Sequence, residues 1–225
     1  MNAETVVRAV NVARTFGAGS NAVVAVHGVD CEVGAGDLIA LMGPSGSGKT
    51  TLMHLLAGLD TPTVGTVDWP AIGTRDQLRP GPIAVVFQAP SLLAPLDVLE
   101  NVTLPLLLQG IDRHTARQTA FAALEQLGLD SIASKLPEEL SGGQAQRVAV
   151  ARVLADRPRF ILADEPTGQL DHTNGCAVID ALIAAATETG AALIVNTHDH
   201  TVANRLDLHW SMSDGRLTTK AALPC

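Results

Sequence analysis

The sequence predicts an α/β fold, a doubly wound and mostly parallel sheet with antiparallel strands before it and a helical insertion within it. Three observations predict this. Apolar runs of four to six residues recur along the chain, segments of helical period separate them, and polar, ligand-type residues stand where the runs stop. Continuous apolar runs are the profile of strands buried on both faces. Ligand-type residues at strand C-termini belong to open α/β sheets, which bind at that edge.

Residues 6–12 and 23–33 are rich in valine with partial alternation and predict two strands joined by a loop over 14–21. Residues 37–42 form a buried strand that stops at Gly43, and Leu52, Leu55, Leu56 and Leu59 mark a helix over 51–59. Residues 60–82, rich in Pro, Gly and Thr, predict a surface connector with at most short strands. A short strand over 83–87 ends at Gln88. From 98 to 154 the period is helical, with amphipathic helices over 116–127 and 144–154, the second opened by Ser141, Gly142 and Gly143. Residues 160–163 and 192–196 are again buried strand runs, each followed by polar residues. The expected organisation is a single domain, with a core of about 1–88 and 157–225 and a helical subdomain of about 89–156.

Composition narrows the function. A chain of 225 residues accommodates one α/β domain with a large core. With 47% hydrophobic residues and a net charge of −8 it falls in the soluble globular class, and the acidic balance argues against a sequence-blind nucleic-acid binder. No apolar stretch approaches the roughly 20 residues needed to span a bilayer. The densest, 104–108, is short and contains Pro105. The first ten residues lack the basic-then-apolar order of a secretory signal, so a cytoplasmic location is expected. Cys31, Cys176 and Cys225 show no paired spacing, which predicts reduced thiols and no zinc site.

The chemistry begins at Gly43, Pro44, Ser45, Gly46, Ser47, Gly48, Lys49 and Thr50, which fit G-x-x-x-x-G-K-[ST]. In that pattern backbone N–H groups surround phosphate oxygens and a lysine reaches the β- and γ-phosphates. Glycines allow the close approach, and the following helix points its positive end at the same anion. Thr50 offers a hydroxyl for Mg²⁺, and Thr51 follows in the same cofactor-binding set. A glycine-rich turn that merely precedes a lysine is the plain alternative; the strand before it and the helix after it argue for ATP.

Asp164 and Glu165 end an apolar strand, where a γ-phosphate and its metal lie in such a sheet. Asp164 would hold Mg²⁺ and Glu165 would polarise the attacking water. Ser141, Gly142, Gly143 and Gln144 read as a helix-capping turn that also offers amide donors to an anion. A second phosphate-type turn beside one phosphate loop suggests two half-sites, each nucleotide being shared by two chains. Gln88 and His198 emerge at the same sheet edge as Asp164, and Phe16 is positioned to stack on an adenine.

Together these residues resemble the ATP-binding cassette (ABC) ATPases, in the family's order and over essentially the whole chain. Phe16 matches the adenine-stacking aromatic, 43–50 the Walker A loop and Gln88 the Q-loop. Residues 140–144 match the LSGGQ signature in full, 160–165 Walker B, 168–171 the D-loop with Asp171, and His198 the switch histidine. The resemblance implies a P-loop NTPase fold and an ATPase with Lys49, Gln88, Glu165 and His198 as catalytic residues and Mg²⁺ at Thr50, Gln88 and Asp164. It also implies a head-to-tail homodimer or pseudo-dimer with ATP between the chains. A separate transmembrane permease would dock near residues 88–107, with the cassette peripheral on the cytoplasmic face of the membrane and no nucleic-acid partner.

Residues 87–108 look like those of the lipoprotein-releasing and macrolide-exporting subgroup, which also includes a cell-division ATPase. Two departures from it are a short connector over 60–82, which predicts a reduced antiparallel sheet, and Gln169 in the D-loop. A regulatory cassette that signals through a membrane partner without moving a substrate would carry the same motor. A DNA-repair or translation ATPase is disfavoured by the absence of long insertions or a second cassette.

Overall fold

Described here is a computed structural model that covers residues 4–168 and 170–221. Gln169 and Cys225 lie outside the described residues.

Valine alternation builds the first layer. β1 (Thr5–Phe16) pairs antiparallel with β2 (Val23–Gly34), from Thr5 opposite Gly34 to Phe16 opposite Val23. The strand thus runs four residues beyond the expected end at 12, because ladder pairing at Arg14 and Thr15 needs no apolar side chain. β3 (Leu38–Met42) leads through the glycine loop into α1 (Lys49–Leu56). That helix starts earlier than its leucine period, since Gly48 in the left-handed region is its N-cap.

The connector keeps to the surface as expected, except at two buried residues, and carries one short strand. β4 (Val64–Asp68) adds to the free edge of β1, giving an antiparallel sheet of order β2-β1-β4. Beyond it Trp69 and Leu78 are buried. The Trp69 indole Nε1 donates to the Leu56 carbonyl at 2.8 Å, closing over the end of α1. Both residues stand singly among Pro, Gly and Thr, so no periodicity announced them.

β5 (Ile83–Val86) is followed by α2 (Val98–Leu108), α3 (Arg113–Gln126) and α4 (Gly142–Asp156). α2 opens with a capping box: Asp97 accepts from the Glu100 amide, and the Glu100 carboxylate accepts from the Asp97 amide. The three helices bury Val102, Leu106, Ala120, Leu124 and Val148. β6 (Phe160–Asp164), α5 (His172–Thr189), β7 (Ala192–Asn196) and the short α6 (His200–Ala203) follow. The chain closes with a hairpin of β8 (Leu208–Ser213) and β9 (Arg216–Ala221), turned at Asp214 and Gly215, both left-handed.

The main sheet runs β5-β6-β7-β3-β8-β9, parallel except for β9. Side chains alternate across it. Ile39, Leu41, Phe160, Leu162 and Ile194 face α1 and the antiparallel layer, whereas Ala40, Ile161, Ala163, Leu193 and Val195 face the larger helices. Continuing the first series puts Asp164 and Asn196 on the α1 side, at the strand ends. Among the described residues no helix is long and apolar enough to cross a membrane.

Candidate nucleotide site

The glycine loop is shaped by contacts that exclude a side chain. Gly43 has φ 145°, and a Cβ there would lie 2.0 Å from the Met212 carbonyl oxygen. Gly48 has φ 98°, and its Cβ would lie 2.1 Å from the Ala25 oxygen. At Gly46 a Cβ would meet nothing within 4 Å, so that side of the loop is open to an incoming anion. Lys49 is buried and its Nζ donates to the carbonyls of Gly43 (2.8 Å) and Pro44 (2.9 Å), folding the loop around the ammonium. Ser47 is buried beneath, its Oγ without a hydrogen-bond partner.

Opposite the loop stand the ends of β6 and β7. Thr50 Oγ1 donates to Asp164 Oδ2 at 2.8 Å, and Asn196 Nδ2 donates to Asp164 Oδ1. Glu165 follows with φ 44°, a conformation uncommon for a residue with a side chain. Its N–H donates to the Asn196 carbonyl at 3.0 Å, and its Oε2 lies 3.2 Å from His198 Nδ1. The histidine is largely exposed and the glutamate partly buried.

One cavity of about 530 Å³ collects most of the expected residues. Gly43, Ser45, Gly46, Gly48, Lys49, Thr50 and Thr51 border it from the loop and α1, and Gln88, Asp164, Glu165 and His198 from the strand ends. Ala25 and Asn196 also border it, and neither was anticipated. The signal for Asn196 was a polar residue closing an apolar strand.

Other expected residues lie elsewhere. Phe16 ends β1 half-exposed, its ring beneath the Arg14 guanidinium (4.6 Å), and does not border the cavity. Ser141 is the N-cap of α4: its Oγ accepts from the Gln144 amide at 3.2 Å, and Gln144 Oε1 accepts from the Ser141 amide at 2.9 Å. That turn, with Gly142 and Gly143, borders no part of the cavity. Asp171 caps α5, accepting from the Asn174 amide (3.0 Å) and side chain (2.6 Å), and these bonds hold its carboxyl below the usual range.

The residues present fit a metal-bound nucleoside triphosphate. Loop amides, a buried lysine and a helix start suit the phosphates. Thr50, Asp164 and Gln88 offer neutral oxygens and a single carboxylate, the donor set of Mg²⁺ held largely by phosphate and water. Among the described residues no group of three or more His, Cys, Asp or Glu is placed to form an all-protein cage.

Comparison with known proteins decides the family. The ABC transporter family model matches residues 26–168. The chain belongs to the ABC transporter family. Its similarity extends past the matched core. The lipoprotein-releasing system ATP-binding protein LolD of Legionella pneumophila (strain Paris) is 42% identical to this cassette over 211 residues, 91% of this chain and 93% of that protein. The uncharacterized ABC transporter ATP-binding protein YvrO of Bacillus subtilis (strain 168) is 42% identical over 214 residues, 92% and 93% of the two chains. Among solved structures, the ATP-binding cassette MJ0796, a dimer in a post-hydrolysis state bound to ADP and Pi, matches with a TM-score of 0.89 and 34% identity, over 97% of this chain and 100% of that one. A second dimeric structure of MJ0796 matches with a TM-score of 0.90 and 35% identity, over the same shares of the two chains. This ABC ATPase is thus the ATP-binding and ATP-hydrolysing subunit of a membrane transporter, with the P-loop fold that its motifs predicted.

Proposed function

We propose that this ABC ATPase works as a head-to-tail dimer in which the Lys49 cradle of one protomer holds MgATP and the Ser141 turn of the other closes over it. The observation that carries this is the separation of the two phosphate-type motifs. The cradle borders the cavity, while the Ser141 turn stands exposed at the start of α4 and borders none of it. Two identical chains joined by a two-fold axis complete both sites at once. The similarity to a cassette solved as a dimer with ADP and Pi supports the same reading.

In this scheme Lys49 and the loop amides bind the phosphates, and Thr50, Asp164 and Gln88 hold the metal. Glu165 orients the attacking water and takes its proton, and His198, already against Glu165, contacts the γ-phosphate. Bound Mg²⁺ neutralises phosphate charge. Positioning and fixed charge supply most of the rate gain.

The Ser141→Arg variant tests the sharing. It is expected to bind ATP as a monomer, to form no ATP-dependent dimer by light scattering, and to lose turnover by about a hundredfold, the order of effect for losing a key oxyanion-type donor. Undiminished turnover in a monomeric variant would refute the shared site.

The partner is a separate permease on the membrane, seated in a groove of about 520 Å³ between the core and the helical insertion. Leu59, Ile83 and Phe87 line one bank and Leu104, Leu108 and Val153 the other, with Leu59 and Leu108 left exposed. Such apolar, solvent-facing walls suit an amphipathic helix. Arg79 and Arg152 also line the groove, and neither forms an ion pair among the described residues. Burial lowers the pKa of both guanidiniums and pushes the neighbouring Asp156 up to about 6, so all three charged groups are partly withdrawn from water along the groove. The similarity to LolD over 91% of the chain supports a permease of the lipoprotein-releasing kind and a place on the cytoplasmic face. The double variant Leu59→Glu, Leu108→Glu should keep ATP binding and lose co-purification with the membrane subunit. Retained co-purification would place the dock elsewhere.

A further inference from the structure

Asn196 belongs to none of the nucleotide motifs, yet it stands against the residue that anchors the metal. It ends β7 as Asp164 ends β6, and the two are register partners across those parallel strands. Ile194 and Leu162, two positions back, face α1, so Asn196 and Asp164 both turn toward the first helical turn that carries Thr50. The four residues before Asn196 in β7 are all apolar and buried, and Asn196 itself is only 2% exposed.

A buried amide is destabilising for each polar group it leaves unpaired. Here the cost is only half offset. Nδ2 donates to Asp164 Oδ1, while Oδ1 has no hydrogen-bond partner. The amide cannot be turned over, because an ionised carboxylate only accepts and the nitrogen must face it. Among the described residues, the side chain's one compensating polar contact is therefore with Asp164. An aliphatic residue would fill the same strand end without leaving an orphaned acceptor, so packing alone gives no reason for asparagine.

We infer that Asn196 is a positioning residue for the metal site: with Thr50 on Oδ2 and Asn196 on Oδ1, both oxygens of Asp164 are pinned toward the position where Mg²⁺ binds. This rests on the MgATP reading above. Two donors restrict rotation of the carboxylate about χ2, and each oxygen of this cavity-bordering residue keeps acceptor capacity for a further partner. Groups that orient a ligand in this way typically govern metal affinity as strongly as some ligands do.

The test separates metal binding from turnover. ATP affinity is measured by equilibrium dialysis in full-length Glu165→Gln protein, with Mn²⁺ and again with EDTA, and bound Mn²⁺ is read by electron paramagnetic resonance. Adding Asn196→Val should leave the affinity in EDTA unchanged and weaken Mn²⁺ binding about tenfold, with a changed Mn²⁺ spectrum. Unaltered Mn²⁺ binding overturns the inference. A parallel fall in both affinities overturns it too, since the phosphate loop rather than the metal would then depend on Asn196. Asn196→Ala removes the amide without adding branched bulk and is expected to give the same loss, so Mn²⁺ affinity equal to the parent's there overturns the inference even if the valine variant fails to fold. Should the parent protein hold no Mn²⁺ with ATP, the MgATP reading itself falls; should the parent hold it and the variants match it, only the role of Asn196 falls.

Discussion

Replacing Glu165 by Gln is expected to lower ATP turnover by a factor of roughly 10² to 10⁴, the range for removing a positioned general base, while ATP binding survives. The change keeps size and hydrogen-bonding capacity. The backbone of residue 165 is held by its N–H to the Asn196 carbonyl and by the Gly168 amide donating to its own carbonyl at 3.1 Å, so the left-handed turn should persist. What is lost is the ability to take a proton from water, and with it the carboxylate opposite His198. Phosphate release under single-turnover conditions, set beside ATP binding on the same protein, makes the comparison. Near-normal hydrolysis would remove Glu165 from this role.

Lys49→Ala is expected to weaken ATP binding about ten- to a hundredfold, since each charge-assisted hydrogen bond lost is worth about 1.5–3 kcal/mol and each tenfold in affinity about 1.4 kcal/mol. The loss has two sources. The ammonium is the loop's own positive charge, and its bonds to the Gly43 and Pro44 carbonyls are what fold the loop around it. Calorimetric titration with ATP reads the effect. An unchanged dissociation constant would mean that the phosphates bind somewhere other than this cradle.

The parts of the molecule legible from sequence are those where one residue type has one physical job. Strands buried on both faces could be read as runs, and because such runs must stop where ligands bind, Gly43, Gln88 and Asp164 were already at strand ends on paper. The cavity gathers them as expected. Less was legible where structure depends on partners distant in sequence. Trp69 and Leu78 belong to no apolar period, and their role shows only once α1 is placed beneath them. The β8–β9 hairpin carries His, Ser and Thr on its outer positions, so its apolar period was faint, although Asp214-Gly215 is a turn signal that could have announced it. Asn196 escaped because its partner is 32 positions away and its strand had already been accounted for by apolar residues.

The distance between the Lys49 cradle and the Ser141 turn has a consequence at the level of the cell. Under the proposed sharing, output follows encounters between chains rather than the number of chains, so dilution costs more than proportionally. A copy damaged in one motif also disables one of the two shared sites in every sound copy it captures, so the harm reaches beyond the damaged copies.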